Sequence, residues 1–318
     1  MMDMQAYTEK IRQLARQILS DGQVEMVFGF ARGNRPLASV PFRASSVEDC
    51  DELIFDACCG MNLANYLTDQ KGKIGVIAKG CDSRSIVNHI VENKIDREQL
   101  VIIGVPCTGL IDPDKVKALY DGDIHQAEEA DDVITVRGSA GEQQFPKDSI
   151  MDDCCAVCVH RNPVIYDELA GELVEEQSPD NRYAMVEAVE EMSDEDRWQY
   201  FEDLYATCIR CYACRNACPL CYCPTCFVDE SGPQWVGKGQ DETDVRTFHF
   251  LRAYHCAGRC VDCGACVRAC PMGINVRILT KKLEKDCLDL FNWESGLSTD
   301  HRPALDAYSP NDPEQIFK

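Results

Sequence analysis

Residues 208–219 are Cys-Ile-Arg-Cys-Tyr-Ala-Cys-Arg-Asn-Ala-Cys-Pro, and residues 260–271 repeat the spacing as Cys-Val-Asp-Cys-Gly-Ala-Cys-Val-Arg-Ala-Cys-Pro. Each run offers three thiols on a tight turn, close enough to hold three irons of one cubane. In proteins with two such runs, the fourth cysteine usually ligates the other cluster. The spacing therefore predicts two [4Fe–4S] clusters, the first on Cys208, Cys211, Cys214 and Cys270, and the second on Cys260, Cys263, Cys266 and Cys218.

Two other uses of cysteine fit these paired runs less well. Structural zinc sites usually close a tetrahedron with two separate Cys-x2-Cys pairs, so a zinc-binding scaffold is a remote alternative. The chain has 21 Cys, an odd number, and it opens with no apolar stretch resembling a signal peptide, which disfavours a disulfide framework. Two clusters whose ligands come from both runs lie close together and form a short path for single electrons. The paired runs therefore predict electron transfer.

Length and charge exclude several classes of function. A chain of 318 residues is long enough for about two domains with real cores. No run approaches the ~18 apolar residues of a membrane span, so we expect a cytoplasmic protein without direct membrane insertion. Asp and Glu outnumber Lys and Arg 54 to 32, a formal charge of −22. Such a surface disfavours nucleic acid, whose phosphates need basic partners. It suits docking against basic patches on redox partners.

The first half of the chain predicts an α/β domain with a parallel core. Residues 73–79 and 100–105 have the composition of buried strands, and residues 83–94 between them have helical spacing. This order indicates a βαβ unit, hence parallel pairing with a right-handed crossover. Further elements are predicted as strands at 24–30 and 38–42, a helical turn at 62–67, a helix and loop over 112–132, and a hairpin of 133–136 with 143–145.

The second half predicts a mainly helical module with two clusters. Ser193 can cap a helix that leads directly into Cys208, with Trp198, Phe201 and Tyr205 on one apolar face. The two runs are separated by 41 residues, 219–259, more than a minimal two-cluster ferredoxin needs. Their second part has helical spacing, and a closing helix is predicted over 276–290. We expect four segments: an α/β domain at 1–165, an acidic helical linker at 166–205, a ferredoxin-like domain at 206–290 and a C-terminal tail at 291–318.

Cysteines outside the paired runs predict a third cluster. Cys81 follows the strand at 73–79, and Cys107 follows the strand at 100–105. Because the carboxyl ends of parallel strands meet at one edge of a sheet, where ligands collect, these thiols should converge. Cys155 and Cys158 add a Cys-x2-Cys pair. The predicted third [4Fe–4S] site is Cys81, Cys107, Cys155 and Cys158, with Cys154 as a substitute for Cys155. The alternative is that these cysteines pack as small hydrophobic side chains.

The remaining cysteines leave two interpretations open. Cys221, Cys223, Cys226 and Cys256 could hold a fourth cluster, or they could pack around the two main clusters and tune their potentials. No spacing rule decides between these, and packing is the preferred interpretation. Cys50 and Cys287 are interpreted as structural. The six histidines form no metal-binding spacing. No Gly-x-Gly-x-x-Gly, P-loop or Ser-His-Asp motif is present, so no catalytic residue is identified.

Four segments together resemble the beta-subunit family of coenzyme F420-reducing hydrogenases and cytosolic formate dehydrogenases. They are Lys79-Gly-Cys81-Asp-Ser-Arg84, Gly104-Val-Pro-Cys107, Cys155-Ala-Val-Cys158 and the run that begins at Cys208 and continues to Cys223. The resemblance spans residues 20–285. In the hydrogenase subunit the ferredoxin part comes first, whereas in this chain it follows the α/β part.

The resemblance implies an iron–sulfur subunit, often flavin-containing, of an anaerobic oxidoreductase complex of the hydrogenase, formate dehydrogenase or heterodisulfide reductase-like kind. Its partners would be the other subunits of that complex. The leading hypothesis is a relay of single electrons between a catalytic or flavin site and a partner. The alternative is a flavin-containing enzyme subunit that itself oxidises or reduces a hydride carrier, F420 or NAD(P)H. Any FAD would then lie near the third cluster and the strand ends.

Overall fold

Two β-sheets form the amino-terminal half of the computed structural model, which describes residues 4–303. The strands are β1 (Met26–Arg32), β2 (Ser39–Ala44), β3 (Ile74–Ala78), β4 (Leu100–Gly104), β5 (Ile124–Ala130), β6 (Val133–Gly138), β7 (Gly141–Pro146) and β8 (Glu168–Leu169). The larger sheet has the order β2-β1-β3-β4-β8. Strands β1, β3, β4 and β8 are parallel, and β2 pairs with β1 in the antiparallel sense.

Helices surround the larger sheet and make up most of the carboxyl-terminal half. They are α1 (Met4–Ser20), α2 (Gly80–Val91), α3 (Pro113–Leu119), α4 (Asp153–Ala156), α5 (Ala184–Glu190), α6 (Asp194–Tyr205), α7 (Ala213–Asn216), α8 (Glu242–His255), α9 (Ala265–Arg268) and α10 (Arg277–Phe291). Short 3-10 helices lie at Glu48–Glu52, Leu63–Tyr66, Arg97–Gln99 and Lys147–Ile150. None of the helices described between residues 4 and 303 has the length and apolar character needed to cross a bilayer.

The predicted βαβ unit is confirmed as β3-α2-β4. All five residues of β3 are buried, as expected for a central strand of a parallel sheet covered on both faces. Helix α2 begins at Gly80, earlier than predicted, because Asp82 accepts a hydrogen bond from the backbone N–H of Lys79 at 2.9 Å. This capping contact places Cys81 in the first turn of α2, directly at the carboxyl end of β3. The α/β fold class of this half is therefore observed.

Helix α1 covers one face of the larger sheet with a single apolar stripe. Ile11, Leu14, Ala15 and Ile18 are buried at helical spacing, while the residues between them are exposed or half-buried. A Cβ added at Gly75 of β3 would lie 2.9 Å from the Cδ1 atom of Ile18, so the helix packs tightly on this strand. The stripe extends the hydrophobic core of the α/β half.

The prediction for residues 112–132 is partly wrong. Helix α3 is present, capped by the Asp112 carboxylate, but the predicted loop contains strand β5. Strand β5 pairs with β6, so the predicted hairpin is the second part of a three-stranded antiparallel sheet. The residues of β5 are mostly polar and carry little local strand signal. Pairing with β6, reinforced by Arg137 bonding Glu128 at 2.8 Å, outweighs that weak propensity.

The acidic segment after residue 165 contributes to both halves. Its first residues form β8, which pairs in parallel with β4, and its later residues form α5. Helix α6 begins as predicted, with the Ser193 hydroxyl accepting from the backbone N–H of Asp196 at 3.1 Å. The predicted apolar face of α6 is only partly buried, because Trp198 is 57% exposed whereas Tyr205 is buried. Trp198 instead lies against Phe201 and under the guanidinium of Arg246.

Hydrogen bonds from α2 join the two halves of the chain. Arg84 donates to the carbonyl oxygen of Ser295 at 2.7 Å, and Asn88 donates to the carbonyl oxygen of Arg259 at 2.8 Å. Residues 292–303 of the predicted C-terminal tail therefore include segments bonded to the α/β half, and residues 304–318 lie outside the described residues. These contacts place α2, which carries Cys81, beside the second run.

Candidate functional site

The first thiol site consists of Cys208, Cys211, Cys214 and Cys270, which line one cavity. Three of these residues come from the first run, and Cys270 comes from the end of the second. The structure therefore brings together the cross-run set expected from the spacing. Phe248 and Ile274 supply apolar wall to the same cavity.

The second thiol site consists of Cys218, Cys260, Cys263 and Cys266, which line a second cavity. Here the cysteine contributed by the other run is Cys218, the last cysteine of the first run. Cys256 also lines this cavity, from the carboxyl end of α8. A buried cation, Arg252, completes one wall.

The repeated spacing gives a repeated backbone geometry in the two runs. Arg210 and Asp262 occupy equivalent positions, both with positive φ, and each backbone N–H donates to the preceding cysteine sulfur, Cys208 or Cys260, at 3.4 Å. Short helices α7 and α9 then begin at left-handed N-cap residues. Amide N–H groups directed at sulfur stabilise a thiolate, so these turns are suited to bind a cation through Cys Sγ.

The third thiol site consists of Cys81, Cys107, Cys155 and Cys158, which line a cavity at the carboxyl ends of β3 and β4. The parallel strands thus bring Cys81 and Cys107 together with the Cys-x2-Cys pair. Cys154 lines the cavity too, and its sulfur is 3.9 Å from that of Cys155. Both cysteines of this adjacent pair are therefore placed to serve the site.

The second and third thiol sites are neighbours. Val261, Asp262 and Cys263 line both cavities. Between the sites lies Arg268, which donates to the carbonyl oxygen of Cys263 at 2.6 Å and to the carboxylate of Asp152 at 2.8 Å. Its guanidinium also lies 3.6 Å from the sulfur of Cys154. The first and second sites are linked similarly, because Arg252 donates to the carbonyl oxygen of Cys214 at 3.0 Å.

Burial makes these thiols poor acids unless a cation binds them. It raises the pKa of Cys214, of Cys263 and of Cys158 to about 11 each. Binding a metal requires the thiolate, so occupation of each site would release protons and replace buried neutral thiols by metal-bound sulfur. The sites are therefore built for a cation that compensates several thiolates at once.

Orphaned donors support the fit of iron–sulfur clusters to these sites. The Nε atoms of Arg210, Arg252 and Arg268 are buried and have no hydrogen-bond partner in the described part of the chain. Such orphans are rare and costly in native proteins. Each of these residues lines or borders a thiol site, where thiolate and sulfide sulfur atoms would be natural acceptors. The residues present therefore fit clusters better than they fit an empty apolar cavity.

His249 is a site residue that the spacing did not identify. Its Nε2 atom lies 3.3 Å from the sulfur of Cys208, and its ring stacks on Tyr205 with centroids 4.1 Å apart. Burial, followed by the charges of Arg252 and Arg210, lowers the pKa of His249 to about 3, so the ring is neutral near pH 7. No sequence signal marked this histidine or the three arginines, because their roles depend on helix packing across the two runs.

The structure separates into two groups the cysteines whose role the sequence left undecided. Cys221 and Cys256 lie with Cys218 in one group whose sulfur atoms are all within 4.8 Å of one another. Cys223 is exposed and Cys226 is half-buried, and neither belongs to that group. Cys50 and Cys287 are buried away from the three thiol sites.

We expect Gly264→Ala to loosen the contact between the second and third thiol sites. Gly264 has φ of +71°, and an added Cβ would overlap the sulfur of Cys154. The left-handed backbone alone costs a non-glycine residue about 1–2 kcal/mol, and the overlap adds to this. A lower thermal midpoint and reduced iron content per chain are the expected measurements on anaerobically purified protein.

Gly273→Ala is the matched control for this substitution. Gly273 also has positive φ, +65°, but an added Cβ would meet nothing within 4 Å. The difference between the two variants isolates the overlap with Cys154 and with the guanidinium of Arg268. Equal losses in both variants would contradict the tight packing of Cys154 on the second run.

Comparison with known proteins confirms the predicted resemblance. The chain is 22% identical to the F420-dependent formate dehydrogenase subunit beta of Methanocaldococcus jannaschii, over 92% of this chain and 93% of that protein. It is 24% identical to the F420-dependent formate dehydrogenase 1 subunit beta of Methanococcus maripaludis, over 94% of this chain and 93% of that protein. Both relatives are subunits of redox enzymes.

Among solved structures, the chain is similar to part of the F420-reducing [NiFe] hydrogenase complex from Methanosarcina barkeri. The TM-score is 0.38 at 15% sequence identity, and the match covers 48% of this chain and 58% of that chain. No protein-family model matches the sequence.

Proposed function

We propose that this chain is an iron–sulfur electron-transfer subunit of an oxidoreductase complex. One observation carries the proposal: three thiol-lined cavities lie in succession through the chain, and neighbouring cavities are joined by shared walls or by a bridging arginine. A single structural metal site would need only one such cavity. The relation to redox-enzyme subunits points in the same direction.

The proposed ligands follow the three thiol sites. The first and second sites would each hold a [4Fe–4S] cluster within a ferredoxin-like domain at 206–290, and the third would hold one at the edge of an α/β domain at 1–165. Residues 166–205 would link the two domains. Each cluster supplies a carrier that takes up and releases one electron at a time.

The protein's own groups prepare these sites for negative charge. Arg252 and Arg268 place fixed positive charge between successive sites, where it offsets the thiolates on both sides. The backbone N–H groups of Arg210 and Asp262 donate to sulfur, and the neutral ring of His249 lies beside Cys208. Hydrogen bonds to sulfur and burial are the levers that proteins use to set cluster potentials.

The first thiol site forms the proposed docking end of the path. Cys211 is exposed, and the neighbouring side chains of Ile209 and Met272 are 45% and 43% exposed. An apolar patch around an exposed thiol suits the core of an interface, where a partner approaches closely and excludes water. The third site lies deeper, at the strand ends, and forms the inner end.

The relatives' names suggest what lies at the two ends. They support a formate dehydrogenase catalytic subunit as partner and F420 as the carrier. Hydrogenase and heterodisulfide reductase-like complexes stay as alternative settings that the resemblance in sequence implies. A hydride carrier exchanges two electrons, so coupling it to one-electron centres calls for a flavin. This dependence favours a second candidate function, a flavin-containing enzyme subunit with FAD near the third site.

Iron, acid-labile sulfide, zinc and flavin per chain, measured on protein purified without oxygen, test the proposal. We expect about twelve irons with matching sulfide, since each cubane holds about four. A value of about eight would restrict clusters to the paired runs. Zinc without iron would overturn the electron-transfer function. Tightly bound FAD would support the second candidate, and its absence after reconstitution with FAD would exclude that candidate.

A further inference from the structure

Three cysteine sulfur atoms beside the second thiol site lie closer to one another than the cysteine sulfur atoms assigned to any one cluster. Among residues 4–303, two groups of ligand atoms lie mutually within 4.8 Å: Cys218, Cys221 and Cys256, and separately Asp152, Cys154 and Cys155. No three cysteines assigned to one of the clusters form such a group in this part of the chain. The sulfur atoms of Cys218, Cys221 and Cys256 are therefore more closely grouped than those of a predicted cluster site.

This spacing fits one metal ion better than a cubane. Around a single tetrahedral ion with metal–sulfur distances of about 2.3 Å, the sulfur atoms lie about 3.8 Å apart. In a cubane each cysteine binds a different iron, so the sulfur atoms stand farther apart. Three sulfur atoms within 4.8 Å need only a small inward movement to bind one ion.

The local chain geometry also resembles that of a mononuclear thiolate site. Cys218 and Cys221 form a Cys-x2-Cys turn, in which the backbone N–H of Cys221 donates to the carbonyl oxygen of Cys218 at 3.1 Å. Cys256 joins them from the carboxyl end of α8. A Cys-x2-Cys turn with a cysteine from a helix is a usual ligand arrangement for zinc.

Burial and charge favour a cation at this position. Cys256 is 2% exposed, and Cys218 and Cys221 are half-buried. Arg252 interacts electrostatically with all three cysteines, and its Nε atom has no hydrogen-bond partner. One guanidinium cannot balance three thiolates, whereas a divalent ion together with Arg252 balances them.

We propose that Cys218, Cys221 and Cys256 form a mononuclear site for a thiolate-binding divalent cation, Zn²⁺ or Fe²⁺, next to the second thiol site. Three protein ligands leave a fourth position for water or another small ligand. Because Cys218 also lines the second cavity, its sulfur is shared between the ion and the neighbouring centre. The site does not depend on the proposed electron-transfer function.

Cys221→Ala and Cys256→Ala test the site without removing a residue assigned to a cluster. Protein purified without oxygen and reconstituted with iron and sulfide is titrated with Zn²⁺, and separately with Co²⁺ as a spectroscopic probe. We expect the unmodified chain to hold one ion that is not matched by sulfide, either zinc or iron. We also expect intense cobalt–thiolate absorption. Each variant should lose the extra ion and that absorption while keeping its cluster iron and sulfide.

Cys50→Ala is the matched control, because Cys50 is fully buried in the α/β half and its thiol donates to the carbonyl oxygen of Ser46. It should retain the ion. Failure to find an ion beyond the sulfide-matched iron in the unmodified chain would overturn the site. So would an extra ion that persists in Cys221→Ala. A joint loss of about four irons and their sulfide in Cys221→Ala would instead make Cys221 a cubane ligand, leaving electron transfer intact but refuting the mononuclear site.

Discussion

Cys270→Ala is expected to remove about four irons per chain from the first thiol site and not from the second. Cys270 belongs to the second run in sequence, yet it lines a cavity with Cys208, Cys211 and Cys214. With one of four thiolates missing, the remaining three cannot complete a closed set of cubane ligands. Iron and sulfide content, together with the electron paramagnetic resonance signal of the reduced protein, report the loss.

Double variants show which site Cys270 serves. Cys270→Ala combined with Cys211→Ala should lose no more iron than either single variant, because both residues hold the same cluster. Combined with Cys263→Ala, the loss should double to about eight irons. The reverse pattern would mean that each run keeps its own fourth cysteine. Cys287→Ala, at a buried cysteine away from the three cavities, should leave the iron content unchanged.

Arg182→Ala is expected to destabilise the protein by about 3 kcal/mol. Arg182 is 8% exposed, and its Nη2 atom donates to Glu284 at 2.6 Å and also to Glu294. Its removal would leave the buried carboxylate of Glu284 and the half-buried carboxylate of Glu294 with less compensating positive charge. This loss in the free energy of unfolding is at the low end of the range for breaking a buried ion pair. The reason is that Lys281 still bonds Glu284, and Arg84 still pairs with Glu294.

The thermal midpoint of the anaerobic, cluster-loaded protein is the appropriate measurement for this variant. Arg137→Ala is the matched control, because the Arg137 side chain is 42% exposed and pairs with two exposed carboxylates, those of Glu128 and Glu142. An exposed pair of this kind contributes less than about 1 kcal/mol, so the control should change little. Similar midpoints for the two variants would show that Arg182 does not clamp the acidic segment onto α10.

The βαβ unit and the third thiol site illustrate what local pattern could predict. Buried strands at 73–79 and 100–105 with a helix between them allow one parallel arrangement, and this places Cys81 and Cys107 at one edge. By contrast, strand β5 was predicted as loop because its polar residues become a strand only through pairing with β6. Trp198 likewise fits an apolar helix face by spacing but remains 57% exposed, since it lies against Phe201 and the guanidinium of Arg246 instead of in the core.

The sequence by itself determined the α/β core, the tight cysteine turns and the kinship with redox-enzyme subunits, because each depends on spacing within a few residues or on pattern along the chain. Beyond the cysteine sets that the spacing predicted, only the tertiary structure decided which side chains meet across long separations. Arg268 reaches Asp152 across 116 residues, and Asn88 reaches Ser295 across 207. The convergence of Cys218, Cys221 and Cys256 has the same origin. These contacts arise where segments distant in sequence pack together, and the spacing of individual arginine, asparagine and histidine residues carries no record of that packing.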